Sequence, residues 1–306
     1  MSKLHTILGA NGTIAVPLSK ELLPYTNRIR QVSRNPRKVN EQDELVAANL
    51  LNAAETDKAV AGSDLVYLLA GLTYKTSVWQ EQWPVLMRNV LDACMRHRSR
   101  LVFFDNVYAY GKVDGIMTES TPFNPSSKKG EVRAKIAAML LEETKKGNLD
   151  ALIVRAADFY GPGAVLSMTY ATVTERIKAG KTCQWMGDPG KVHTFTYTPD
   201  AARSVALLGN TDAAYNQTWH ALTTKQLYSG NDYIRIACEL AGRPFKVQAL
   251  PTFGVRALGL FVPILREMVE MMYQYTSDYQ FDSSKFEKQF QLTATSYEEG
   301  IAATLK

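Results

Sequence analysis

Short apolar runs alternate with longer segments of helical period through the first half of the chain. Thr6-Ile7-Leu8 predicts a first strand, and Ile29-Arg30-Gln31-Val32 a second that ends at Ser33-Arg34-Asn35-Pro36. Glu44–Leu51 and Glu55–Val60 carry short elements. Asp64-Leu65-Val66-Tyr67-Leu68-Leu69 predicts a buried strand ending at Ala70-Gly71, and Leu101-Val102-Phe103-Phe104 and Asp150–Arg155 predict two more. Between them, Gln82–Arg98 reads as a long helix with Trp83, Leu86, Val90 and Leu91 on one face. Glu131–Lys146 reads as a helix with Val132, Ile136, Met139 and Leu140 inward. Strands without polar alternation, separated by helices, imply a parallel sheet covered on both faces. Right-handed crossovers then give a doubly wound α/β fold.

After Tyr160-Gly161-Pro162-Gly163 the pattern changes. Met168–Ala179 looks helical and Lys181–Thr198 reads as strand and loop. Pro199–Leu208 opens a helix that Thr198 or Asp200 is placed to cap. The last hundred residues mix short strands and helices with many aromatics, as expected of a smaller α+β domain. No repeat, low-complexity run or long linker is visible.

The richest local signal follows the first strand at once: Gly9-Ala10-Asn11-Gly12-Thr13-Ile14-Ala15. A strand that ends in two glycines three apart and opens a helix leaves backbone N–H groups pointing outward. Together with the positive helix end they suit a phosphate or pyrophosphate. Gly9 allows the tight turn, Gly12 lets backbone approach the anion, and Ala15 is small enough for the helix to pack on the strand. Dinucleotide binding is the reading, in a domain of residues 1–165 and 190–225; residues 166–189 and 226–306 form the substrate side.

Composition removes several other classes. The chain has 306 residues, 46% of them hydrophobic, and a net charge of +5 that is spread out rather than gathered into a patch, so a nucleic-acid partner is not expected. Cys94, Cys183 and Cys238, and His5, His97, His193 and His220, lie far apart in sequence and show no metal spacing or disulfide framework. The most apolar late stretch, Gly254 to Met272, is interrupted by Arg256, Pro263 and Arg266, so no membrane span is expected. The chain start shows no signal segment, and a cytoplasmic location is the expectation.

Taken together, these motifs resemble the extended short-chain dehydrogenase/reductases, the NAD-dependent epimerase/dehydratase group. The likeness covers nearly the whole chain: Gly9-x-x-Gly12-x-x-Ala15, Leu68-Leu69-Ala70-Gly71, Asn89-Val90-Leu91-Asp92-Ala93-Cys94, Val107-Tyr108-Ala109-Tyr110-Gly111, Arg155 with Tyr160-Gly161-Pro162-Gly163, Thr198-Pro199-Asp200-Ala201-Ala202 and Ser296-Tyr297-Glu298-Glu299-Gly300. The resemblance implies a Rossmann-like fold. It also implies a catalytic Ser or Thr with a Tyr-x-x-x-Lys whose helical spacing sets both on one face. The lysine lowers the tyrosine pKa, and the tyrosine passes a proton while the nicotinamide passes a hydride. Here the serine position falls at Asn106 and the Tyr-x-x-x-Lys position at Glu131-Val132-Arg133-Ala134-Lys135. The lysine is kept and the tyrosine is not, as in the atypical branch of the family. Lys135 would orient the nicotinamide ribose.

Who supplies the proton is open. Tyr108-Ala109-Tyr110-Gly111-Lys112 matches Tyr-x-x-x-Lys literally, but it lies on a loop with a glycine inside and reads as chance. Tyr108 or Tyr110 could still serve from the strand end, with Tyr110 alternatively packing under the glycine turn. Glu131 is a base candidate or an ordinary solvated acid at a helix start.

Around the cofactor, the resemblance places Asn11, Thr13 and Ile14 with the glycine loop, Asn49-Leu50 beside the adenine, and Leu69, Ala70 and Gly71 along the pyrophosphate and ribose. It places Asn89 behind the nicotinamide ribose and Tyr160 beside the nicotinamide. Arg34 at the second strand end, with Arg37 and Lys38 near, favours NADP, because arginine clamps a 2′-phosphate that an acid would repel; NAD is the alternative. Substrate-side candidates are Ala164, Ser167, Met168, Tyr170, Trp185, His193 and Phe195. An apolar pocket is an alternative to plain core for Met268, Met271, Met272, Tyr273, Tyr275, Tyr279 and Phe281. The expectation is an NAD(P)-dependent oxidoreductase or epimerase-like enzyme acting on a small molecule, and the resemblance implies a dimer through Gln82–Arg98 and Glu131–Lys146. The alternative is a dinucleotide-binding redox sensor without turnover. A sugar-nucleotide epimerase would need a tyrosine that the helix does not supply.

Overall fold

The computed structural model describes residues 2–306. Its centre is one parallel sheet of seven strands: β1 (Leu4–Leu8), β2 (Arg28–Ser33), β3 (Glu44–Ala47), β4 (Leu65–Leu68), β5 (Arg100–Asn106), β7 (Ala151–Ala156) and β11 (Thr218–His220). The spatial order is β11-β7-β5-β4-β1-β2-β3. The order reverses beside β1, so the carboxyl ends of β1 and β4 flank the crevice where such sheets bind ligands.

The pleat sorts each strand between two cores. On one face, Val66, Leu68, Leu101 and Phe103 meet α2 (Ala53–Val60), α3 (Thr76–His97) and α4 (Lys128–Lys145). On the other, Leu65, Tyr67 and Val102 meet α1 (Ala15–Glu21), α6 (Thr198–Gly209) and Phe286 of α11 (Ser284–Phe290). Every one of these strand residues is buried, which is why the runs carry no polar alternation.

Three short parallel pairs lie outside the sheet. β6 (Ile116–Met117) joins β13 (Gln280–Phe281), β8 (Asp158–Tyr160) joins β10 (Phe195–Tyr197), and β9 (Cys183–Met186) joins β12 (Val247–Leu250). Tyr160, Trp185 and Phe195 from these strands pack with α7 (Gly230–Leu240) and α12 (Tyr297–Leu305). α8 (Thr252–Leu258), α9 (Pro263–Met268) and α10 (Tyr273–Thr276) bring Val255, Met268, Met272 and Tyr275 against Met186.

Several boundaries differ from the sequence pattern. α3 begins at Thr76, well before Gln82, because Lys75 is the extended residue that ends the preceding loop. α4 begins at Lys128, where the Ser127 hydroxyl accepts from Gly130 N. The Met168–Ala179 helix is a π turn over Tyr170–Thr174 followed by the short α5 (Glu175–Lys178). Neither Thr198 nor Asp200 caps α6. The Thr198 hydroxyl donates to the Pro162 carbonyl, and the Asp200 carboxylate accepts from Thr295 N and Oγ1, tying α6 to the segment before α12. Cys183 and Cys238, far apart in sequence, meet as free thiols, and burial with Cys238 alongside pushes the Cys183 thiol up to about 12. Among the described residues no cluster of His, Cys, Asp and Glu could hold a metal, and no helix is long and apolar enough to cross a membrane.

Two buried histidines make this core acid-sensitive. His5 sits inside β1 against the Tyr67 hydroxyl (3.3 Å), and burial pushes its pKa down to about 4. The His220 Nε2 meets the Tyr110 hydroxyl (2.9 Å) and Nδ1 the Asp282 carbonyl (2.7 Å); burial pushes its pKa down to about 3. Both stay neutral in the fold while the unfolded chain takes protons near pH 6.5, so lowering pH favours unfolding. Denaturant titration is expected to show stability flat above pH 7. Each histidine should cost on the order of 2 kcal/mol by pH 4.5, and His5→Gln should recover its share.

Candidate functional site

The chain turns as soon as β1 ends. Gly9 N and Ala10 N both donate to the Val32 carbonyl at 2.9 Å, pinning the turn to β2. Gly9 has φ +102°, and a Cβ there would lie 2.5 Å from Ala70 N, so no side chain fits between this turn and the end of β4. The Asn11 amide donates to the Asn35 carbonyl (2.7 Å) and its oxygen accepts from Arg37 N (3.1 Å), which holds the loop after β2 beside the turn. The N–H groups of Thr13 and Ile14 have no acceptor among the described residues.

A cleft of about 910 Å³ opens above these strand ends. One half is walled by Gly9, Asn11, Gly12 and Thr13, by Leu69, Ala70 and Gly71, and by Arg34, Asn49 and Leu50. The other half is walled by Asn106 and Tyr108 after β5, Ala157, Asp158 and Phe159 after β7, Ala164 and the stretch from Leu166 through Thr169, Phe195, Tyr74, Ile264, Met268 and Tyr275. Twelve of the residues proposed from sequence for cofactor or catalysis thus line this cleft.

The others lie elsewhere. Ile14 is buried beneath the loop. Asn89 stands behind the cleft wall, its amide donating to the Leu50 carbonyl (3.0 Å). Tyr110 is buried against His220 and beneath the Arg155 guanidinium, 4.6 Å from its ring centre. Tyr160 is buried among Phe195, Tyr197, Tyr233 and Tyr297. Glu131 and Lys135 are exposed on the outer side of α4. Tyr108 to Tyr110 form a single tight helical turn, so Tyr108 and Lys112 share no helix face.

The inward face of α4 instead presents Lys129 and Arg133, one turn apart. Lys129 Nζ, fully buried, donates to Glu267 Oε2 (2.6 Å), Glu270 Oε1 (2.8 Å) and the Thr76 hydroxyl (2.8 Å). Burial would raise the Glu267 pKa, but the bonds from Lys129 and Thr76 outweigh it and hold the carboxyl below its ordinary value. Arg133 Nε donates to Asp105 Oδ1 (2.7 Å), its guanidinium 4.4 Å from the Trp83 ring centre. Arg155 reaches the other oxygen of the same aspartate (3.4 Å).

Beside the apolar half stands a phenol and carboxylate cluster. The Tyr108 and Tyr74 hydroxyls are 3.4 Å apart. The Tyr275 hydroxyl donates to Asp158 Oδ2 (3.1 Å), and His193 Nε2 lies 3.1 Å from the same oxygen. Burial, with neighbouring Tyr74 and Asp158, lifts the Tyr108 phenol well above its ordinary pKa; burial and Asp158 do the same to Tyr275. Both are protonated near neutral pH. The sequence reading passed over Asp158 and Tyr74. Asp158 had a signal: it comes just after β7 at a strand's carboxyl end, where open α/β sheets place ligand-facing residues.

The sequence matches the model of the NAD dependent epimerase/dehydratase family over residues 5–219. A dTDP-glucose 4,6-dehydratase of Mycolicibacterium smegmatis is 30% identical over 153 residues; the match covers 47% of this chain and 42% of the relative, so less than half of that protein is represented. Among solved structures, the Bacillus cereus UDP-glucuronic acid 4-epimerase in complex with UDP-glucuronic acid and NAD superposes with a TM-score of 0.81 at 18% identity, covering 98% of this chain and 97% of the other. The Thermus thermophilus UDP-glucose 4-epimerase complex with NAD gives 0.77 at 17% identity, with 98% and 97% covered. At these identities the likeness establishes the shared fold.

Lys129→Met would leave two carboxylates beside an apolar helix end without their cation. It is expected to destabilise the protein by about 3 kcal/mol, seen as a lower denaturant midpoint. Lys129→Met with Glu267→Gln should recover part of that loss.

Proposed function

Because the chain belongs to the NAD dependent epimerase/dehydratase family, we propose that it is an NADP-dependent oxidoreductase in which Tyr108 donates the proton. The observation that carries this reading is the Tyr108 phenol on the cleft wall, protonated and beside Tyr74, at the carboxyl end of β5.

The residues present fit a dinucleotide. Gly9 leaves a surface without a side chain where the turn meets Ala70, and the Thr13 and Ile14 N–H groups are free to meet phosphate oxygens. Arg34 is exposed, has no carboxylate partner among the described residues and lines the same half, where a 2′-phosphate would suit it. The nicotinamide, when bound, supplies the hydride acceptor or donor. Tyr108 would hold a proton for the substrate oxygen, and Tyr74 would keep its hydroxyl aimed. The Asn106 side chain accepts from Tyr108 N (3.0 Å) and so fixes the turn that carries the phenol. Tyr275, Asp158 and His193 form a chain that could resupply a proton. A homodimer through the outer faces of α3 and α4 and a cytoplasmic location belong to the same reading and rest on the family resemblance.

A second reading, a dinucleotide-binding sensor without turnover, is favoured by the inner face of α4. Its lysine and arginine are both engaged by carboxylates, and no tyrosine accompanies them there.

With a reducible substrate, Tyr108→Phe should lower kcat by about 10²-fold or more while dinucleotide affinity stays constant. An unchanged kcat would refute the assignment. NADPH bound tightly, with no oxidation across a carbonyl and enone panel, would favour the sensor. Arg34→Ala should weaken NADPH by about tenfold and leave NADH unchanged, measured by calorimetry.

A further inference from the structure

The two halves of the cleft differ in charge. The half assigned to the dinucleotide carries Arg34, whereas the substrate half, among the described residues, carries no lysine or arginine. Its one formally charged side chain is Asp158, which is negative. Phe159, Leu166, Met168, Phe195, Ile264 and Met268 supply its apolar surface. Three cations on neighbouring elements stay out of it. Lys129 is buried between Glu267 and Glu270. Arg266 donates to the Gly259 and Leu260 carbonyls at 3.0 and 3.1 Å. Arg256 is exposed on α8, outside the wall.

The apolar lining continues out of the cleft. Leu166, at its mouth, is 92% exposed, and Phe253 and Phe261 of the adjoining α8–α9 hairpin are 76% and 84% exposed. From Thr252 to Arg266 the only charged residues are Arg256 and Arg266. Apolar groups left in water around a cavity mouth are what an apolar ligand would cover on entry.

We infer, building on the oxidoreductase reading, that the substrate half takes an uncharged, largely apolar carbonyl compound and rejects nucleoside diphosphate sugars. A diphosphate would bring two negative charges into a space that offers no cation and already holds a carboxylate, with its desolvation uncompensated. An alkyl chain gains burial along the Met168, Ile264 and Met268 wall, and its carbonyl oxygen finds the Tyr108 hydroxyl.

The test is calorimetry on the whole protein, first with NADPH and NADH alone. The protein loaded with NADP+, which cannot reduce a ketone, is then titrated with methyl ketones from 2-butanone to 2-decanone and, separately, with UDP-glucose. Affinity should rise about fourfold per buried methylene until the wall is filled, and UDP-glucose should give no saturable heat. Leu166→Asp changes a solvent-exposed position and should weaken 2-octanone at least fivefold while leaving NADPH binding intact. With the dinucleotide bound, saturable UDP-glucose binding, ketone affinity independent of chain length, or no ketone binding would each overturn the substrate class while sparing the cofactor reading. Failure of both dinucleotides to bind would overturn the cofactor reading, and this inference with it.

Discussion

One buried ammonium group holds the cleft together. Lys129 projects from the first turn of α4 into a site sealed from solvent and is met there by Glu267, Glu270 and Thr76. Those carboxylates belong to the segment that contains Met268 and leads to Tyr275, so the pairing presses the apolar cleft wall against the sheet. A lone buried charge costs several kcal/mol unless its bonds are complete. The lysine therefore cannot be satisfied unless the C-terminal segment is docked. Thr76, at the start of α3, closes the same cluster and fixes the height of Tyr74 beside Tyr108.

That docking gives the cleft its unlike halves. Backbone amides and Arg34 face the space at the ends of β1 and β2, and apolar side chains with phenols face it at the ends of β5 and β7. The sheet makes this division unavoidable. Its strands all point one way, so the sheet's own loops that reach the crevice leave strand carboxyl ends, and α9 and α10 close it from outside. Asp105 illustrates the depth of the supporting layer. At the end of β5 it engages Arg133 and Arg155 at once, which joins α4 to β7 beneath the residues that line the floor.

The sheet was legible in the sequence because it is buried on both sides. Leu101 and Phe103 serve one core and Val102 the other, so the run had to be apolar throughout. The glycine turn was legible for a similarly local reason, since both partners of Gly9 lie at adjoining strand ends. What could not be read were side chains whose meaning depends on distant partners. Lys128-Lys129 looks like a solvated pair, yet the partner of Lys129 lies 138 residues away. The helical register was displaced for the same reason: Glu131 and Lys135 fit a motif by spacing, but the inward face of α4 is set by Lys129, Val132, Arg133 and Ile136. The Cys183 and Cys238 contact likewise depends on how β9 and α7 pack.

The cleft draws on residues from Gly9 to Tyr275, and β11 joins the sheet only at Thr218. A ribosome emitting this chain releases the glycine turn first and its opposite wall last. Parallel pairings between remote segments form slowly, since loop closure precedes any gain from contact. For most of synthesis the nascent amino-terminal half thus presents an open apolar crevice to its surroundings, a natural target for chaperone attention until the final quarter arrives.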